Sequence, residues 1–165
     1  MGKTRTRRPG STYSRRVPRA SGRILVVDDN KVIRQLIRVN LELEGFEVVT
    51  AADGAECLEV VHQVRPDAVT LDVVMPCLDG IRTAARLRAD PCTRDLPLAI
   101  ISACTQAEVD AGFEAGADAY LSKPFEPADL VALVRRLVEG KGRRRGSRPK
   151  RESRGSSAAQ AESAG

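Results

Sequence analysis

Five side chains able to do chemistry stand at the ends of four short apolar runs. Ile24-Leu25-Val26-Val27 runs into Asp28 and Asp29, and Ala68-Val69-Thr70-Leu71 runs into Asp72. Leu98-Ala99-Ile100-Ile101 runs into Ser102, and Ala119-Tyr120-Leu121-Ser122 runs into Lys123 and Pro124. One aspartate after one strand is most often a turn or a helix cap. Three carboxylates, a hydroxyl and an ammonium that share a pocket mean more. Clustered carboxylates disfavour one another's ionisation, and a hard divalent cation relieves them. Mg²⁺ suits one or two carboxylates together with waters and a phosphate oxygen. A lysine beside such a site offsets charge on a transferring phosphoryl group.

The elements that would bring these groups together follow from periodicity. Short runs rich in Val and Ile, separated by helical patterns, read as buried strands of a parallel sheet. Strands are expected at 23–28, 46–50, 67–71, 97–101 and 117–121. Helices are expected near 31–44, 53–64, 80–88, 105–115 and 126–138. In the first helix Val32, Leu36, Val39 and Leu43 share one face at steps of three and four, the pattern of a stripe turned to the core. Gly45 stops that helix, Pro66 follows the second, and Asp79 is placed to cap the third. Strict alternation gives an α/β sandwich with right-handed crossovers, a flavodoxin-like doubly wound (βα)5 fold with its five parallel strands in order 2-1-3-4-5. In that order the first and third strands are neighbours at the switch point, where ligands bind at the carboxyl ends.

Charge divides the 165-residue chain into three. Residues 1–22 carry +7, residues 141–165 carry +6 and residues 23–140 carry −8, so the net +5 belongs to the tails and the middle is acidic. With almost nothing apolar, 1–22 and 141–165 are expected to be disordered basic tails. Neither holds a second hydrophobic pattern, so a stand-alone domain over 23–140 with no output domain is expected. No uncharged apolar run approaches the ~18 residues of a membrane span, and no apolar segment follows the N-terminal arginines as in a secretory signal. Membrane insertion is not expected, and cytoplasm is the default location. Cys57, Cys77, Cys92 and Cys104 form no Cys-x-x-Cys pair and His62 is the only histidine. They read as four free thiols rather than a zinc site, and His62 as a solvated residue rather than a phosphoryl carrier.

The segments Val-Val-Asp-Asp-Asn, Leu-Asp-Val-Val-Met-Pro-Cys-Leu-Asp-Gly, Ile-Ser-Ala and Tyr-Leu-Ser-Lys-Pro-Phe together resemble the receiver domain of bacterial two-component response regulators, over 23–140. The resemblance implies that Asp72 accepts a phosphoryl group from a sensor histidine kinase or a histidine phosphotransfer protein. It implies Mg²⁺ held by Asp29 and Asp72, by Asp28 through water, and by the backbone carbonyl of Val74. Lys123 would pair with the phosphoryl oxygens, Ser102 would swing to hydrogen-bond them, and Tyr120 would turn inward as it does. The Lys123–Pro124 bond would be cis. Output would pass to an unknown downstream protein, with a phosphorylation-dependent homodimer through the face of the last two helices and fifth strand. No multiple-turnover enzyme activity is implied.

Two other functions bear on the same residues. The tails could bind nucleic acid weakly, with strong salt dependence, although Tyr13 is their only aromatic residue and base stacking needs more. A phosphatase of the haloacid-dehalogenase type also uses an aspartate nucleophile with Mg²⁺. It needs a second aspartate two residues on, where this chain has Val74.

Val74 and Cys104 occupy the two positions that, by the resemblance, flank the path of the hydrolytic water. Apolar groups there hold that water poorly. A Val74→Asn substitution should shorten the half-life of phospho-Asp72 about five- to tenfold, the worth of one well-placed hydrogen bond. Following phosphoprotein decay in both proteins checks this, and equal half-lives refute it.

Overall fold

The computed structural model describes residues 21–103 and 105–146, with the side chains of 141–146 left out. In chain order the elements are β1 (Arg23–Val27), α1 (Lys31–Leu43), β2 (Glu47–Ala51), α2 (Gly54–Val64), β3 (Ala68–Leu71), α3 (Gly80–Ala89), β4 (Leu98–Ser102), α4 (Gln106–Glu114), β5 (Ala119–Ser122) and α5 (Pro127–Gly146). The sheet has the order β2-β1-β3-β4-β5, and every pairing is parallel. This is the doubly wound flavodoxin-like arrangement that strand–helix alternation predicts.

The inner strands β1, β3 and β4 are buried on both faces because helices cover both. Leu25, Val27, Val69, Leu71, Leu98 and Ile100 pack with Cys57 and Val61 of α2 and with Ala84 and Leu87 of α3. On the other face Ile24, Val26, Ala68, Ala99 and Ile101 pack with Ile37 and Leu41 of α1 and with Leu130 and Val134 of α5. The period-two alternation of strand side chains divides the residues this way. Side-chain oxygens start the helices: Asn30 accepts from the Val32 and Ile33 amides, Asp53 from Glu56 and Asp79 from Arg82. Thr105 and Glu108 form a reciprocal capping box on α4, which satisfies amides that have no intrahelical partner.

Three expectations need correction. The α1 stripe of Val32, Leu36, Val39 and Leu43 faces solvent, with Val32 75% and Leu43 78% exposed. The core takes Ile37 and Leu41 instead, with Ile33 partly buried beside them. Second, α5 continues to Gly146, eight residues past the expected end at 138, so 141–146 are helical backbone rather than tail. Third, residues 21 and 22 belong to the fold. The Ser21 amide donates to the Gly45 carbonyl at 2.9 Å, and the Glu47 amide donates to the Gly22 carbonyl at 2.9 Å. The rest of the predicted tails, 1–20 and 147–165, and Cys104 lie outside the described residues.

Cys57, Cys77 and Cys92 are free thiols, and burial pushes the Cys57 thiol up to about 12. His62 is not merely solvated: its Nε2 lies 2.9 Å from Asp90 Oδ2, across from α2 to the end of α3. Among the described residues no helix is long and apolar enough to cross a membrane.

The two α1 stripes should separate in stability. Ile37→Ala empties a fully packed site and should cost about 2–5 kcal/mol. Leu36→Ala, half-exposed, should cost under about 1 kcal/mol. Urea unfolding of both variants measures the contrast.

Candidate functional site

The sheet register levels the strand ends. Val27 lies opposite Leu71, Leu71 opposite Ile100, and Ser102 opposite Ser122. The residues that follow therefore converge above one edge. Asp28 is held on every side: its amide donates to the Ala51 carbonyl at 3.2 Å, and its Oδ1 accepts from the Asn30 amide at 2.9 Å. Lys123 Nζ donates to its Oδ2 at 2.6 Å. Asp72 donates its amide to the Val27 carbonyl at 2.9 Å. Its Oδ1 accepts from Ser102 Oγ at 2.7 Å, and its Oδ2 lies 3.4 Å from Lys123 Nζ.

Asp28, Asp72 and Ser102 are buried while Asp29 is exposed, so the pocket opens on the Asp29 side. Oxygens of Asp28, Asp29 and Asp72 lie within 4.8 Å of one another. Burial holds the Asp28 carboxyl above its usual range, against the opposing pull of its hydrogen bond from Lys123. The ammonium of Lys123 bridges two carboxylates, which is the counter-charge such a cluster needs when nothing else supplies one.

The lysine is placed by its own strand. The Lys123 amide donates to the Ser102 carbonyl at 3.3 Å, and the half-buried Tyr120 hydroxyl donates to the same carbonyl at 2.9 Å. The Lys123–Pro124 bond is cis. Val74 stands two residues beyond Asp72 with its side chain 68% exposed. Asp28, Asp29, Asp72, Ser102 and Lys123 thus gather at one pocket, with Tyr120 hydrogen-bonded to Ser102 beside it, and Cys104 is not described.

Three contributors carried no sequence assignment. Arg34 Nη1 reaches back from α1 to donate to the Asp28 carbonyl at 2.7 Å. Asn30 caps α1 and also supplies the amide that orients Asp28. Gly80 is required because a Cβ there would strike the Asp72 carbonyl oxygen. Its amide also closes the loop 73–79 onto the Val73 carbonyl at 2.9 Å. A capping residue two places after an aspartate, and the Asp-Gly pair opening α3, were the available signals for Asn30 and Gly80. Arg34 offered none.

The family model described as "Response regulator receiver domain" matches residues 24–135. The transcriptional regulatory protein PrrA of Mycobacterium tuberculosis is 48% identical over 130 residues, which cover 77% of this chain and 52% of that protein. The DNA-binding dual master transcriptional regulator RpaA of Synechocystis is 39% identical over 117 residues, 70% of this chain and 48% of that one. The chain therefore spans about half the length of these curated relatives. Among solved structures, the chemotaxis protein CheY4 of Vibrio cholerae matches with a TM-score of 0.66 at 32% identity, covering 70% of this chain and 97% of that one. The receiver domain of the Francisella response regulator 1452 matches with a TM-score of 0.67 at 33% identity, covering 72% and 98%.

Removing the bridging ammonium should be costly. Lys123→Ala leaves a nearly inaccessible Asp28 carboxylate without its partner, at about 3–5 kcal/mol. Chemical unfolding in the presence of a chelator measures this. A loss under about 1 kcal/mol would mean the pair contributes little.

Proposed function

The chain belongs to the response regulator receiver domain family, and on that premise we propose that Asp72 accepts a phosphoryl group from a phosphohistidine of a sensor histidine kinase or histidine phosphotransfer protein. The observation that carries the proposal is the convergence of Asp28, Asp29, Ser102 and Lys123 on Asp72. An Asp72 oxygen attacks phosphorus, the phosphorus–nitrogen bond to the donor imidazole breaks, and the imidazole nitrogen keeps the electron pair. Such transfer depends on positioning and on offsetting charge across the phosphoryl oxygens. Lys123, 3.4 Å from Asp72 Oδ2, moves onto one of those oxygens. Ser102, already donating to Asp72 Oδ1, passes its hydroxyl proton's hydrogen bond to another.

The donor set suits Mg²⁺: oxygens of Asp28, Asp29 and Asp72 lie within 4.8 Å of one another, and that ion takes one or two carboxylates directly and reaches further groups through its waters. Asp28, Asp29 and Asp72 with the Val74 carbonyl would hold it, and it would supply charge neutralisation at the phosphoryl group. Tyr120 follows Ser102 through the carbonyl they share. The α4-β5-α5 surface then carries the signal to a downstream protein or to a second copy. The chain catalyses only its own phosphoryl gain and loss, since no second aspartate stands at Val74 to drive turnover.

Two features bear on partners. The exposed α1 stripe begins at Val32, two residues after the Asn30 cap whose amide holds Asp28, so an apolar landing surface for the protein donor begins close to the pocket. PrrA and RpaA are named as transcriptional regulators, and residues 23–140 here would be the phosphorylated input portion of such a protein. CheY4 is matched across 97% of its length, and the transfer chemistry is the same whether or not an output domain accompanies the receiver. Cytoplasm is the proposed location because the donor's phosphohistidine is made there.

With Mg²⁺ and a small donor such as acetyl phosphate, intact mass should rise by one phosphoryl group. Asp72→Asn should abolish the gain, and its persistence would refute the assignment. Leu36→Asp should slow transfer from a phosphorylated protein donor about tenfold or more, as loss of an interface anchor does, and leave acetyl phosphate labelling unchanged. Equal slowing with both donors would place the fault in the pocket instead.

A further inference from the structure

Four of the five side chains gathered at the pocket are held in place by hydrogen bonds: Asp28, Asp72, Ser102 and Lys123. Asp29 is the exception. It is exposed in the bend between β1 and α1, and among the described residues its carboxylate takes no hydrogen bond or ion pair. Its direction is therefore set by the backbone on either side.

Two hydrogen bonds fix that backbone. The peptide unit after Asp29 ends in the Asn30 amide, which donates to Asp28 Oδ1 at 2.9 Å. The unit before it begins at the Asp28 carbonyl, which accepts from Arg34 Nη1 at 2.7 Å. Arg34 also closes the bend through its own amide, which donates to the Asn30 carbonyl at 2.9 Å. The carbonyls of both residues flanking Asp29 thus end on one residue in the first turn of α1. Asn30 is pinned in turn, because its Oδ1 accepts from the Val32 and Ile33 amides.

We propose that Arg34 is a positioning residue for Mg²⁺, holding the Asp28–Asp29 peptide unit so that the Asp29 carboxylate stays in ligating reach of the pocket. The inference rests on the reading of Asp28, Asp29 and Asp72 as the Mg²⁺ site, where their oxygens lie within 4.8 Å of one another. Two effects of Arg34 oppose each other. Its positive charge repels a cation, and its hydrogen bond orders a ligand in advance. The guanidinium is half-buried, so water and salt screen its charge. The hydrogen bond is short and charge-assisted, and without it the exposed bend pays the ordering entropy when the metal binds. Contacts that orient a metal ligand from behind are worth about 10- to 100-fold in affinity. Positioning therefore outweighs repulsion.

Calorimetric titration of the full chain with MgCl₂ tests this. Arg34→Met keeps the length of the stem, removes charge and donors, and should weaken Mg²⁺ binding about tenfold. Arg34→Gln, too short to reach the carbonyl, should do the same and guards against a folding defect peculiar to methionine. Arg34→Lys restores a charge and a donor and should recover part of the loss. In an Asp29→Asn background, Arg34→Met should cost no more than about twofold further, because the two residues act through one carboxylate. The rise in Tm on adding Mg²⁺ should shrink in Arg34→Met, which loss of a purely structural contact would not cause. Mg²⁺ affinity equal to or tighter than that of the native chain in Arg34→Met overturns the proposal, since repulsion alone predicts tightening. Equal losses in the native and Asp29→Asn backgrounds overturn it as well, since the effect then lies elsewhere than Asp29. No Mg²⁺ binding by the native chain would remove the metal reading itself and this inference with it.

Discussion

The pocket depends on one ammonium among three carboxylates. Asp28 and Asp72 are forced together because they end adjacent parallel strands whose register is set by Val27 opposite Leu71. Buried carboxylates at that spacing raise one another's proton affinity unless a positive charge intervenes. Lys123 supplies it from a third strand, at 2.6 Å from Asp28 and 3.4 Å from Asp72. The arrangement is strained in charge and satisfied in hydrogen bonds, a state that favours a ligand bringing further positive charge to the three carboxylates. Stability and reactivity at this site come from the same atoms.

Much of this was legible because a parallel sheet reports itself twice: as unbroken apolar runs, and as polar residues collected at their carboxyl ends. Ile24–Val27, Ala68–Leu71 and Leu98–Ser102 are buried at every residue, as short strands covered on both faces are. Caps were legible where a short polar side chain preceded the helix, as at Asp79. What failed was the choice between two stripes on α1. Val32, Leu36, Val39 and Leu43 obey helical spacing as well as Ile33, Ile37 and Leu41 do. Periodicity identifies a helix but cannot say which of two apolar faces meets the sheet; only the entry angle after Asn30 decides. The end of α5 was missed for a different reason. A run of Lys and Arg reads as solvated chain by composition, yet both have high helix propensity and suit a helix C-terminus, so a preformed helix extends into it. Arg34 and Arg88 were invisible because their roles are long-range. Arg34 serves a carbonyl of the previous strand, and Arg88 gathers the carbonyls of Leu96 and Gly116 with the Asp118 carboxylate.

A net charge of +5 describes no part of this molecule. The carboxylate cluster follows the C-terminal end of β1, and Gly22 and Val138 meet at its N-terminal end. The helix α1 also carries an exposed apolar stripe. A contiguous exposed apolar surface marks an interaction site more often than accident.

Were Asp72 phosphorylated as proposed, signal transmission would need only a short path. Ser102 Oγ touches Asp72 Oδ1 at 2.7 Å, and the carbonyl of the same residue takes the Tyr120 hydroxyl at 2.9 Å and the Lys123 amide at 3.3 Å. Any shift of Ser102 toward a phosphoryl oxygen pulls on both β5 contacts at once. A covalent ligand can move an equilibrium only by its difference in interaction between two states, and exchange of one or two charged hydrogen bonds supplies about 1–3 kcal/mol, or a 5- to 150-fold change in population. That range suffices to switch a surface of marginal bias, and it needs no rearrangement of the sheet. The rigid part of the domain positions the reacting groups, while the few hydrogen bonds at Ser102 carry the consequence outward.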